Sequence, residues 1–279
     1  MSINASQDYV HIFEDQFFLR VIFRRSYETI VGHEGCFGVR KRFSFVTLEY
    51  YTSRKEPHLS PVPGIRIAFW FPYGDVVVDN TWHTTWPRVT KDTYAVMDIS
   101  NVEESVNGWN ETARRYVRQY ESLHEERYSI REVTDKIFLS AYVVKSNIKT
   151  TIKRSMMECV RAHHKIDKDR MKYYCLFDKN NNEYVAGVTV LQSRDVNQIY
   201  YVAGFVDKRE VPPQGMIWLI YYAIKKGSEL GLKYCNLGVM YTQGDPLSWK
   251  GFSRFKKKFN PVLIGGIYAR IRMTFGLKG

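Results

Sequence analysis

Residues 212–238 read PPQGMIWLIYYAIKKGSELGLKYCNLG, and this stretch decides the fold class. Pro212, Pro213 and Gly215 punctuate the chain and open a helix expected from Met216 to Leu230. Its apolar run, Gly215 to Ile224, has the length of a core helix rather than of a membrane span. Gly231 stands where a left-handed C-terminal cap is wanted, and Lys233 to Leu237 then reads as a buried strand. On the upstream side, Lys172 to Phe177 and Glu183 to Gln192 flank the turn Asp178-Lys179-Asn180-Asn181-Asn182 as a β-hairpin, extended by Ile199 to Phe205. Downstream, Phe252 to Phe259 is a short basic helix ended by Pro261, and Ile264 to Met273 is a closing strand. Strand, strand, strand, helix, strand, helix, strand is the order of a mixed α/β protein.

The first hundred residues read differently. Arg20 to Phe23, Phe43 to Tyr51, Ile65 to Trp70 and Asp75 to Asp79 are rich in β-branched and aromatic residues, with a loop at 57–64. After Ser100 helical spacing takes over, at Glu103 to Ser122, about Arg131 to Val144, and Lys149 to His164. The expected division is a strand-rich part at 1–100 and a mixed part at 101–279. There is no short-period repeat and no low-complexity tract.

Composition narrows the class. The 279 residues are 44% hydrophobic and 25% charged, the balance of a globular protein, with 20 Tyr and 6 Trp. The opening MSINASQDYVHIFEDQFF has no basic segment followed by an apolar one, and no window approaches 18 apolar residues. Cys36, Cys159, Cys175 and Cys235 lack metal-ligand spacing and read as reduced thiols of a cytoplasmic protein. The net charge is +12, and from Pro246 onward eight Lys or Arg stand with no Asp or Glu. That asymmetry points to an anionic partner: nucleic acid, a phosphorylated substrate, or the face of an anionic membrane contacted peripherally. A solubility charge is the plainer account.

Several chemistries drop out. No GxSxG, P-loop, HExxH or GxGxxG is present. His163 and His164 are adjacent and lack a spaced third ligand, and Cys159 with His163 lacks an orienting group. At the start of the 216–230 helix, where backbone N–H groups could cradle a phosphate, Arg209 to Met216 carries two prolines and Glu210, which remove donors and repel pyrophosphate.

Three stretches resemble the FemABX family of aminoacyl-tRNA-dependent peptidyl transferases, a branch of the GNAT superfamily. Trp109-Asn110-Glu111-Thr112-Ala113-Arg114-Arg115-Tyr116-Val117-Arg118 is similar to that family's "RRxIRKA" segment. Met216 to Leu237, with Tyr234-Cys235-Asn236-Leu237-Gly238, resembles its helix followed by "YDxGG". Phe255-Lys256-Lys257-Lys258-Phe259-Asn260-Pro261 resembles its "FKxxFG" motif, the most specific of the three. Gly64 to Asp79 is a looser match to its "GIxxxPRGPV" strand-turn. Asn236 replaces the family's Asp, Asn260 replaces its Gly, and there is no coiled-coil arm.

The resemblance implies an α/β (α+β) fold: a GNAT-like mixed sheet with flanking helices, in two fused GNAT-like halves, the first degenerate. It also implies an acyltransferase that forms an amide on an amine acceptor, of peptidoglycan-precursor or small-molecule type. Aminoacyl-tRNA would be the donor. An acyl carrier protein or coenzyme A thioester is the alternative donor, and a non-catalytic module for nucleic acid or an anionic surface is the alternative class. An activated ester needs positioning and oxyanion stabilisation rather than a protein nucleophile or a cofactor. By resemblance Lys256 lies beside the reacting ester; a solvated helix face is the plainer account. Tyr241 and Asp245, near a strand end, are candidates for proton transfer, as are Asp98 and Glu210. Arg114 and Arg118 share a helix face and, with Arg115, could grip an acceptor phosphate. Arg254, Trp249 and Lys250 complete the candidate binding set, Trp249 as a stacking platform for a base.

Overall fold

In the computed structural model, the described residues are 9, 15, 28–31, 36–72, 76–85, 93–207, 214–243, 247, 249–265 and 269–276. The chain forms two compact units. One comprises residues 1–94, 239–250 and 262–279, the other 95–238 and 251–261.

The first unit is built on six strands: β1 (Glu28–Val31), β2 (Phe37–Phe43), β3 (Val46–Ser53), β4 (Gly64–Pro72), β5 (His83–Thr84) and β13 (Arg270–Gly276). They lie in the order β1-β2-β3-β4-β13-β5. Alternation along β3 and β4 sends Thr47, Glu49 and Tyr51 with Arg66, Ala68 and Trp70 to one buried face. There Trp70 and Trp82 meet at 5.4 Å beside Cys36, Tyr51 and Ala68. Glu49 is fully buried, yet Arg40 Nε at 2.6 Å, Arg66 Nε at 3.0 Å and the Tyr51 hydroxyl at 2.8 Å hold both its oxygens. Burial and the neighbouring carboxylate push the Tyr51 hydroxyl well above its ordinary value. The 75–79 strand expected from the valines does not form in its described part: Val76 and Val78 pack on the tryptophan cluster from irregular backbone. The expected strand at 20–23 lies outside the described residues.

The second sheet runs β12-β6-β11-β10-β9-β8-β7. Its strands are β6 (Thr93–Asp98), β7 (Tyr128–Glu132), β8 (Met171–Asp178), β9 (Glu183–Ser193), β10 (Gln198–Val206), β11 (Tyr234–Met240) and β12 (Val262–Gly265). The expected hairpin is present, and its turn is fixed by Asp178, whose Oδ1 accepts from Asn180 N–H at 3.0 Å. The Arg127 guanidinium, 2.8 Å from Oδ2, holds that carboxyl below the usual carboxylate range.

Among the described residues the α-helices are α1 (Val102–Asn107), α2 (Glu111–Gln119), α3 (Asp135–Lys145), α4 (Thr150–Ile166), α5 (Gly215–Glu229) and α6 (Trp249–Lys256). Successive residues of β8 point to opposite faces, so Tyr173 meets Phe138 of α3 at 5.5 Å while Tyr174 meets Tyr222 of α5 at 5.2 Å. Helices α3 and α5 therefore cover opposite faces. Gly231, at φ 76°, ends the chain's turn after α5, as its position in sequence required.

Two expectations are corrected. The single helix at 103–122 is two helices, because Asn101 and Asn110 each cap a new start, accepting from Glu104 N–H at 3.2 Å and Ala113 N–H at 2.8 Å. The closing strand at 264–273 is split: β12 and β13 belong to different sheets.

Candidate functional site

The parallel pair β10 and β11 records only three register pairs, Gln198–Tyr234, Ile199–Cys235 and Tyr200–Asn236. Beyond Tyr200, β10 stays with β9 through a register shift between Tyr201 and Ala203, while β11 bends at Gly238, φ 79°. Asn236 is fully buried and its side-chain oxygen accepts the Gly238 N–H at 2.8 Å, which fixes that bend. A carboxylate would accept the same bond, so the Asp-to-Asn departure keeps the geometry.

Lys256 reaches this opening. A methyl group placed on Gly238 would stand 3.5 Å from the Tyr200 hydroxyl and 3.6 Å from Lys256 Nζ. The amine also lies 4.7 Å from the centre of the Phe252 ring. Only 7% of Lys256 is exposed, and burial brings its amine down to about 7. Among three consecutive lysines the helix buries this one, exposes Lys257, and lays Lys258 near the Tyr116 ring at 5.8 Å.

The position of Lys256 is anchored from the α1–α2 junction. Trp109 meets Phe259 edge-on at 4.7 Å, and Asn110 N–H donates to the Lys258 carbonyl at 2.9 Å. Two of the three motif stretches are thus in direct contact. Asn260, φ 45°, adopts the left-handed conformation for which the family motif has glycine, a conformation that Asn tolerates better than most residues.

Beside the opening lies a cavity of about 480 Å³, lined mainly by Tyr201, Gly204, Phe205, Met216, Phe252 and Phe255. Its lining is largely apolar and, among the described residues, contains no carboxylate. Tyr201, Gly204 and Phe252 carry no motif of their own; what marked them in the sequence was only membership of β10 and of the basic helix.

The remaining candidates fall elsewhere. Arg114 and Arg118 line a second cavity, of about 850 Å³, with Glu103, Glu121, Lys225 and Glu229. Arg115 is exposed and rests 5.6 Å from the Tyr116 ring. Arg254 is exposed on α6. Lys250 is exposed with its amine 5.2 Å from the Tyr241 ring centre, and Trp249 is half-buried. Asp98 binds Ser100, accepting from its N–H at 2.9 Å. Asp245 and Glu210 lie outside the described residues. His164 faces Tyr173, its Nδ1 3.4 Å from the hydroxyl, and Asp135 at 3.8 Å.

No family model and no curated protein matches the sequence. Among solved structures, FemX superposes with a TM-score of 0.70 over 95% of this chain and 93% of its own, at 11% identity. The chain has the FemX fold. The mixed α/β architecture implied by the motifs, mixed sheets with flanking helices, is the one observed. A conserved protein of unknown function from Bacteroides thetaiotaomicron matches this chain at TM-score 0.57 and 11% identity, over 96% of this chain and 94% of that one. The C-terminal domain of a putative lysylphosphatidylglycerol synthetase from Agrobacterium fabrum matches at 0.52 and 12%, over 92% and 88%. Among the described residues no helix is long and apolar enough to cross a membrane.

Proposed function

We propose that this protein transfers an acyl group, most specifically an aminoacyl group from charged tRNA, to the amine of an acceptor of peptidoglycan-precursor or small-molecule type. The observation that carries the reading is the Lys256 amine, buried where β10 and β11 part and titrating near neutrality. The FemX fold supports the same class.

Aminolysis of an ester forms a C–N bond, breaks the C–O bond, and moves one proton from nitrogen to the leaving oxygen. A group that is half protonated near pH 7 suits both halves of that transfer. Neutral Lys256 takes the proton from the attacking amine, and the resulting ammonium faces the developing oxyanion before the proton passes to the leaving oxygen. The apolar cavity at Tyr201, Phe205, Phe252 and Phe255 receives the side chain or acyl chain of the donor. Arg114 and Arg118, in their own cavity, are proposed to hold a phosphate of the acceptor. The reaction calls on no cofactor, and the protein works in the cytoplasm, where charged tRNA is found. A thioester donor is the second reading, since the same apolar cavity would take an acyl chain.

The test is binding of charged and uncharged tRNA over a salt series, followed by transfer of a labelled amino acid to an amine acceptor. Salt-sensitive preference for the charged form and loss of transfer in Lys256→Ala support the reading. Absent tRNA binding together with thermal stabilisation by coenzyme A would replace it with the thioester donor. Transfer unchanged in Lys256→Ala would remove the assignment of that residue.

A further inference from the structure

The first unit ends in a surface that the chemistry above does not use. In the register of its sheet, Phe43 pairs with Val46, Val46 with Ile65, and Ile65 with Phe275. Directly paired residues share a face, so these four form one row, three strand spacings or roughly 14 Å wide. The adjacent row on the same face is Lys41, Leu48, Ile67 and Met273. Further in, Tyr50 and Phe69 stack at 5.0 Å and are half-buried. At the end of the sheet the same apolar set emerges into solvent: Phe43 is 43% exposed, Met273 54% and Phe275 76%. Phe45, at the tip of the β2–β3 turn, is 65% exposed.

The tip is held by backbone. Ile65 N–H donates to the Phe45 carbonyl at 2.8 Å. A side chain on Gly64, φ 86°, would strike that carbonyl oxygen, and one on Gly276 would strike the Val62 carbonyl oxygen. Two glycines thus let the turn and the 62–63 loop close over the sheet end, so the phenylalanines project outward from a fixed base. Ser44, φ 39°, makes the turn itself.

The segments that carry these rings are basic. Residues 41–46, 61–65 and 273–276 contain Lys41 and Arg42 and no acidic residue. Lys41 Nζ lies 4.9 Å from the Phe43 ring centre. Rings and a methionine that enter the boundary between headgroups and acyl chains, with cations beside them at phosphate level, are the composition of an interfacial anchor. A patch of this kind, on a chain carrying +12, complements an anionic bilayer surface.

We propose that this end of the first sheet, with Phe43, Phe45, Met273 and Phe275 inserted and Lys41 and Arg42 on the headgroups, docks the protein on an anionic phospholipid membrane. The full chain is tested by flotation with phosphatidylcholine vesicles with and without phosphatidylglycerol. The expected result is partition onto the anionic vesicles only, weakened at least roughly tenfold in the Phe45→Ser/Phe275→Ser double variant. Lys41→Gln/Arg42→Gln should weaken it too and flatten its salt dependence. Near-UV circular dichroism verifies that the variants, altered at exposed positions, keep their fold. No flotation of the wild type overturns the proposal, as does equal flotation of the serine variant. A concentration-dependent dimer in sedimentation that the serine variant abolishes would instead assign the patch to a second copy of the chain.

Discussion

Replacing Lys256 by methionine keeps the length and the apolar stem of a side chain that is only 7% exposed and removes its titrating amine. In the unfolded chain that amine titrates near 10.5, in the folded chain near 7, because burial disfavours the charged form. The unfolded state therefore binds more protons between those values, and stability rises with pH across them. Below 7 both states are protonated and the full cost of burying the charge is present; above 10.5 neither state is charged and the cost is gone. Each pH unit of the interval is worth about 1.4 kcal/mol, and about two units lie between 7 and 9. The stability advantage of Lys256→Met over wild type should accordingly shrink by about 3 kcal/mol from pH 6 to 9. Urea unfolding followed by tryptophan fluorescence, at four pH values and for both proteins, measures this difference, in which every other titration cancels. A gap that stays constant with pH would mean that the amine keeps its ordinary value, and the proton-transfer role argued for it would fall with the burial.

Gly238→Ala puts a side chain at φ 79° and within 4 Å of Tyr200 and Lys256; it should cost about 1–2 kcal/mol in urea unfolding and reduce transfer more than tRNA binding. Glu49→Gln leaves Arg40 and Arg66 facing a neutral partner in a buried site, and a loss of about 3–5 kcal/mol by thermal or urea unfolding is expected. Phe259→Ala removes the edge contact with Trp109 at 4.7 Å; it should cost about 3–5 kcal/mol and, by loosening α6, lower the transfer rate more than Asn260→Gly, which should change stability by less than about 1 kcal/mol.

The stretch from β8 to β11 was legible because each element carries its own local signal: a turn of Asp and Asn, a long apolar helix, a glycine at its end. The α1–α2 break was equally local, in Gly108 and the capping Asn110, but helical spacing runs through both helices and hides it. Strand β7 was not foreseen, because its five residues gain their pairing from β8 rather than from any pattern of their own. For the site, the basic motif singled out Lys256, but periodicity left open which of three lysines the helix would bury. The partners Tyr200 and Phe252 were illegible, since nothing in their neighbourhood in sequence shows that β10 and β11 separate after three pairs.

Strand β13 lies between β4 and β5, pairing with both. During synthesis, β1 to β4 leave the ribosome long before residues 270–276 exist, so the β4 edge waits unpaired while the whole of the 95–238 segment is made. That exposed edge is a template for wrong pairing with another nascent chain. A chaperone would be most needed in this interval. A fragment ending after residue 265, which keeps β12 and with it every strand of the second sheet, should aggregate through its first ninety residues.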